Sequence, residues 1–203
     1  MDKEIYIIRH GETDLNANGI VQGRGINSDL NALGRAQGES FYQCYKHVAF
    51  DKLYTSTLKR THQTVQGFID AGVSWEQHSG LDELAWGEWE GKTATDHSRA
   101  AFREIVEEWQ SGNYDAKFAG GESPAEVKER LQGALNYILS KSKERRILIC
   151  MHGRAMRLLF CILTEKPLSE MADFPHLNTT LYRFGYQHGK FEMLAFNNTE
   201  HLK

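Results

Sequence analysis

The sequence predicts an α/β fold in three layers, αβα, with a mostly parallel central sheet and an antiparallel hairpin at its C-terminal end. Two short and almost wholly apolar runs, 4–8 and 147–151, read as strands buried on both faces. Helical patterns follow each of them, so strands and helices alternate along the chain. Near the end, two strand-like segments flank a stretch containing Gly185 and Gly189, which reads as a hairpin.

The elements follow in order. After the strand 4–8, residues 16–31 are rich in Gly, Asn and Asp and read as an irregular loop. Asn31 is placed to cap a helix in which Leu33, Ala36, Phe41, Cys44 and Tyr45 recur near helical spacing. A second strand at 52–55 leads into a helix over about 57–71, with Arg60 in its first turn. Residues 75–78 suggest a third strand, and 81–92, rich in Trp, Gly and Glu, a structured loop.

Residues 93–121 interrupt the β/α rhythm with a helix striped by Phe102, Ile105, Val106 and Trp109. Ser123, with Pro124 at the first helical position and Glu126 completing a capping box, opens a helix to about 140. The strand 147–151, a helix over 154–163, and a hairpin of 178–184 and 190–196 around a five-residue loop complete the chain. Residues 1–203 thus read as one domain with a lid-like helical insertion at about 93–121.

Composition narrows the function classes. A chain of 203 residues with 40% hydrophobic and 25% charged residues can bury a real core. Its net charge of -3 gives no reason to expect nucleic acid or an anionic membrane as partner. No apolar run approaches the roughly 20 residues that span a bilayer, and the N-terminal apolar stretch is too short for a signal peptide. Three cysteines, Cys44, Cys150 and Cys161, read as packing residues in a reducing compartment, and the expected location is cytoplasmic. Exposed edge strands leave room for a homodimer.

The chemistry gathers at strand tips. Arg9-His10-Gly11 follows the first strand, Ser56 and Arg60 the second, and His152-Gly153 the strand 147–151. In a parallel sheet these tips share one edge, where α/β proteins bind ligands. Two arginines, two histidines and a carboxylate, either Glu83 or its neighbour Asp82, form a sufficient kit for phosphoryl transfer. The other histidines, His176 and His201 among them, read as incidental surface positions.

The ordered set resembles the histidine phosphatase superfamily, which includes cofactor-dependent phosphoglycerate mutases. The resemblance rests on Arg9-His10-Gly11-Glu12-Thr13 with Asn16 and Gln22-Gly23, on Leu30, Leu33-Gly34 and Gln37, and on Ser56 with Arg60. It continues through Leu81-Asp82-Glu83, Gly87 to Gly91, Gly120 to Ser123, Met151-His152-Gly153, and the tail from Asn197 to Leu202. Residues 25–29 depart from the family's shorter approach to Leu30. The resemblance implies the phosphoglycerate mutase-like fold.

It also implies that His10 is a nucleophile forming a phosphohistidine, and that Glu83 is the general acid and base. Arg9, Arg60 and His152 would hold the phosphate oxygens, with Asn16, Gln22, Gly23 and Gly153 lining the same site. No metal ion and no cofactor are required.

With no cation between Glu83 and Lys92, the chain reads as a phosphomonoesterase acting on a small phosphorylated metabolite, similar to alpha-ribazole phosphatase. Mutase-type transfer is the alternative, with Arg24, Arg99 and Arg103 as candidate second-anion ligands. A catalytically silent phospho-ligand binder is the third reading.

Overall fold

The computed structural model describes residues 2–203. Its strands are β1 (Lys3–Arg9), β2 (Lys52–Thr55), β3 (Trp75–Gln77), β4 (Arg146–Met151), β5 (Leu181–Gln187) and β6 (Lys190–Asn198). The helices are α1 (Asp14–Ala17), α2 (Ala32–Tyr45), α3 (Lys59–Thr64), α4 (Gln66–Asp70), α5 (Asp96–Gln110), α6 (Pro124–Ser140) and α7 (Gly153–Leu163).

The six strands form one sheet in the order β3-β2-β4-β1-β5-β6. The first four are mutually parallel, and β5 and β6 run antiparallel, as the sequence predicts. Apolar runs at β1 and β4 follow from their central place, because each strand buries side chains on both faces. Ile5 and Ile7 join the core under α6 and α7, with Ile147, Ile149 and Met151. Tyr6 and Ile8 join the other core, under α2 and α4, with Leu148 and Cys150.

The helices leaving β1 and β4 therefore cross to opposite faces, which opens a crevice beyond the C-terminal tips of these adjacent strands. Arg9 is level with Met151, and Thr55 with Cys150. The next residues, His10, Ser56 and His152, fall together at the mouth of that crevice.

Two predicted elements take a different form. The 57–71 helix is broken at Val65, whose φ of -108° and ψ of 18° leave the helical region, giving α3 and α4. The break lets Thr64 turn its hydroxyl inward, where it donates to Arg60 O at 2.6 Å and accepts from Gly11 N at 2.8 Å. The hairpin loop has two residues, not five. His188 and Gly189, both at positive φ (51° and 80°), form the turn, and Gly185 lies inside β5. Positive φ at both centres matches the twist of the flanking strands.

Helix starts are as expected. Asn31 accepts from Gly34 N at 2.8 Å, and the Ser123–Glu126 capping box is complete. The loop bearing His10 packs directly on α2. A Cβ on Gly34 would lie 2.0 Å from Glu12 O, so helix and loop touch backbone to backbone. Gly34→Ala should therefore lower unfolding stability by about 2 kcal/mol despite alanine's better helix propensity. Urea titration should show this as a lower midpoint with unchanged slope; a midpoint at or above that of wild type would contradict it.

Candidate active site

His10 is 3% exposed, and its Nδ1 lies 2.7 Å from Gly11 O. A carbonyl only accepts, so Nδ1 carries the ring hydrogen, and in the neutral ring the Nε2 lone pair is free. Burial first, then the guanidinium groups of Arg60 and Arg9, hold this imidazole well below its ordinary value of 6.5. Asn178 Nδ2 donates to His10 O at 3.0 Å and fixes the strand tip. The arrangement presents an uncharged ring nitrogen among cations.

Arg60 is fully buried. Its Nε donates to His152 Nδ1 at 3.2 Å, while Nη1 and Nη2 donate to Ile26 O at 2.6 Å and Gly23 O at 3.3 Å. The unusual 25–29 segment thus supplies one of the two carbonyls on this guanidinium, and its Asn27 Oδ1 accepts from Lys59 N at 2.7 Å. Burial pulls Arg60 down to about 10, against the pull of Glu83. Arg9 is lowered by burial too; its Nε is buried without a partner, and its Nη1 lies 3.3 Å from His176 Nδ1.

The ring of His152 lies 5.2 Å from that of His10. Its Nδ1 accepts from Arg60 and its Nε2 meets Ser56 Oγ at 2.7 Å, so both ring nitrogens are engaged. The sequence suggests a histidine that donates to phosphate; in the structure its ring contacts are Arg60 and Ser56. Burial, then Arg60, keeps it well below its usual value.

Glu83 reaches the site from the loop after β3. Oε1 accepts from Leu84 N and Ala155 N, both at 2.9 Å, and Oε2 accepts from Arg154 N at 3.1 Å. The carboxylate therefore rests on the N-terminal turn of α7, where the helix dipole favours an anion. Its rival, Asp82, is committed elsewhere. Asp82 accepts from Thr57 N and Oγ1 and pairs with Arg24 at 3.1 Å.

Of the supporting residues, Asn16 has Oδ1 placed to accept from Thr13 N and Asn178 Nδ2, each at 3.3 Å, which leaves its amide hydrogens for another acceptor. Gln22 bridges Thr13 and Ser28 at 2.6 Å each and so braces the loop. Gly23 lends its carbonyl to Arg60. The N–H of Gly153 has no partner among the described residues.

Several residues of this corner escape the sequence reading. Arg130 donates to the carbonyls of Gly80, Asp82 and Glu83 at 2.8–3.0 Å and pairs with Glu122, pinning the Glu83 loop. His176, expected on the surface, packs over Gly153 and Arg9; burial and the nearby arginines pull it down to about 3. His201, likewise expected outside, is 5% exposed and lies 3.1 Å from Thr179 Oγ1. Arg24, a candidate anion ligand by sequence, is held by Asp82 and Glu122.

The sequence suggests a cation-poor flank beside Glu83. In space, Arg154 and Arg157 of α7 supply that flank instead, both close enough to Glu83 for mutual charge effects.

The chain matches the model of the histidine phosphatase superfamily (branch 1) over residues 5–199. It is 26% identical over 200 residues to phosphoserine phosphatase 1 of Hydrogenobacter thermophilus, covering 98% of this chain and 94% of that protein. A probable phosphoglycerate mutase GpmB of Cronobacter sakazakii is 30% identical over 188 residues, with coverage of 91% and 85%.

Among solved structures, YhfR of Bacillus stearothermophilus superposes with a TM-score of 0.86 at 25% identity, covering 99% of this chain and 100% of that one. Phosphoserine phosphatase from Entamoeba histolytica, in complex with 3-phosphoglyceric acid, gives 0.85 at 26% identity with the same coverage.

Neutral buried histidines make stability depend on pH with a definite sign. The unfolded chain protonates His10 and His152 as pH falls through about 6.5, while the native chain resists, so native stability is full above that pH and declines below it. Each such group contributes up to about 1.4 kcal/mol per pH unit in that window. His10→Asn should flatten the fall in unfolding free energy between pH 6 and 5 by about 1 kcal/mol. Urea titrations at these two pH values read it, and an unchanged slope would mean that His10 charges in the native state.

Proposed function

The chain belongs to the histidine phosphatase superfamily, and on that footing we propose that His10 carries the phosphoryl group while it hydrolyses small phosphomonoesters. The observation that carries this reading is the hydrogen bond of His10 Nδ1 to Gly11 O, which leaves Nε2 as the free nitrogen of a ring that burial, Arg60 and Arg9 keep neutral.

His10 Nε2 attacks phosphorus in line as the bond to the leaving alcohol oxygen breaks. Arg9 and Arg60 stabilise charge on the equatorial oxygens. Asn16 and the Gly153 N–H add donors, and His152 holds Arg60 in place. Glu83 donates a proton to the departing oxygen and, as a carboxylate, takes one from the water that cleaves the phosphohistidine. Oε1 is filled by two amide donors, so the transferred proton belongs on Oε2, which accepts from only one. Fixed guanidinium groups supply the charge that a metal ion would otherwise provide, and the scheme needs no cofactor.

The 93–121 segment, carrying α5, acts as the roof over the leaving-group side. No described helix is long and apolar enough to cross a membrane. The same reading assigns the enzyme a cytoplasmic location, and the free edges of β3 and β6 leave room for a homodimer. Mutase-type transfer is the competing reaction, favoured by the arginines that α7 brings beside Glu83. The chain possesses all five reactive groups, which supports turnover over silent phospho-ligand binding.

Phosphate release from p-nitrophenyl phosphate should persist with a metal chelator and vanish in His10→Ala. Arg60→Ala should lose about 10²–10³ in rate, as for removal of one preorganised donor. A time course with 3-phosphoglycerate and its bisphosphate separates the reactions; isomer formation outrunning phosphate release would replace hydrolase with mutase. An active His10→Ala enzyme would defeat the mechanism.

A further inference from the structure

Both arginines beside His10 are paired with a histidine. Arg60 Nε donates to His152 Nδ1 at 3.2 Å, and Arg9 Nη1 meets His176 Nδ1 at 3.3 Å. A guanidinium only donates, so His176 Nδ1 is the acceptor and the hydrogen of its neutral ring belongs to Nε2. Among the described residues this is the one side-chain hydrogen bond of Arg9, whose Nε is buried and unpaired.

The segment that carries His176 holds Arg9 at three points. Thr179 N donates to Arg9 O at 3.1 Å, Arg9 N donates to Thr180 O at 3.4 Å, and the His176 ring takes the guanidinium. Thr179 does so at a φ of 58°, in the left-handed region that a β-branched residue rarely enters. His201 braces that turn through Nε2, 3.1 Å from Thr179 Oγ1. Such a backbone persists only where its surroundings enforce it. Room for the ring comes from Gly153, where a Cβ would lie 2.6 Å from His176 Cε1.

We propose that His176 is a positioning residue for phosphate binding, which aims the Arg9 guanidinium while adding no counter-charge to it. The inference rests on the phosphatase reading above, in which Arg9 binds phosphate, and adds a residue which that reading leaves out. A carboxylate in the same place would fix Arg9 as firmly, but it would compete with the incoming dianion for the guanidinium. A neutral imidazole fixes the geometry and leaves the charge whole. Burial, then Arg9, Arg157 and Arg154, pull His176 down to about 3, so it remains an acceptor at neutral pH. His152 serves Arg60 by the same device. The two pairs frame His10, which Arg60, Arg9 and His176 all lower further after burial has done so.

A ring that only filled the space over Gly153 would need bulk and no acceptor, and three replacements of similar size separate the two roles. His176→Asn keeps an acceptor oxygen near the place of Nδ1, His176→Leu has none, and His176→Asp adds the counter-charge. All three lose the packing of the ring, so the comparison among them isolates the acceptor. Calorimetric titration with inorganic phosphate reads binding without turnover, and kcat/KM for p-nitrophenyl phosphate reads the reaction.

Relative to asparagine, leucine should raise the phosphate Kd about 10-fold and lower kcat/KM about 10- to 100-fold. Aspartate should raise the phosphate Kd by about 10-fold as well. Three variants that behave alike, within about threefold, would overturn the proposal, because packing would then be the whole role. An aspartate variant that binds phosphate as tightly as the asparagine variant would overturn it too, by removing the need for neutrality. If the leucine variant fails to fold, the asparagine and aspartate variants decide by that last criterion. Wild-type protein that binds phosphate but releases none from the ester would refute the phosphatase reading alone, since the titrations still test His176. Wild-type protein that binds no phosphate would refute both.

Discussion

The site is organised around positive charge that the protein buries without balancing. Arg60 is fully buried, and its partners are two backbone carbonyls and a neutral imidazole. Such a group is costly to desolvate, and only a rigid set of dipoles makes it tolerable. That cost explains why the 23–26 loop, α3 and the tip of β4 must all meet at one point. His10 stays neutral in the same setting, because burial first, and then the charges of Arg60 and Arg9, oppose a third positive charge there. An incoming dianion relieves the same imbalance, so the requirement for folding and the readiness to bind phosphate have one physical origin.

The acid side is held by a different device. Glu83 lies on a loop pinned by Arg130, which binds the carbonyls of Gly80, Asp82 and Glu83 while Glu122 neutralises it. Asp82 completes the brace by tying the loop to Thr57, just before α3. Glu83 and Arg60 are thus positioned from a shared frame, although α4 and β3 lie between them in the chain. Removing Arg130 would leave the Glu83 carboxylate on α7 but release the backbone that delivers it.

Much of this was legible in the chain because it depends on local pattern. Apolar runs marked β1 and β4, caps marked α2 and α6, and residues just past strand ends marked His10, Arg60 and His152. Legibility failed where one residue's meaning depends on a distant partner. Gly185 looked like a turn residue, but it is a strand glycine, and the turn belongs to His188 and Gly189. Val65 carries no breaking signal, and the α3–α4 interruption accompanies a contact between Thr64 and Gly11, 53 residues earlier in the chain.

Arg130 did leave a trace, since it shares the helical stripe of Val127, Leu131 and Ala134, where a charge requires a buried partner. Arg154 and Arg157 left one too, as the only charges in an otherwise apolar α7. His176 and Asn178 left none, because an irregular segment brings them to the first strand tip from more than 160 residues away.

These two halves differ in how tightly they are built, and the difference bears on specificity. The attack side is made of strand tips and short loops locked by backbone contacts, so a change there disturbs the sheet edge itself. The flank beyond Glu83 is made of side chains from α5, α7 and the 168–173 turn packed around a cavity, and such surfaces can change shape while the sheet stays intact. The two layers meet at Glu83, whose carboxylate rests on the first turn of α7. Arg154 stands at that junction: its backbone N–H holds the Glu83 carboxylate, while its guanidinium lies among the rings of Trp86, Phe102 and Trp109.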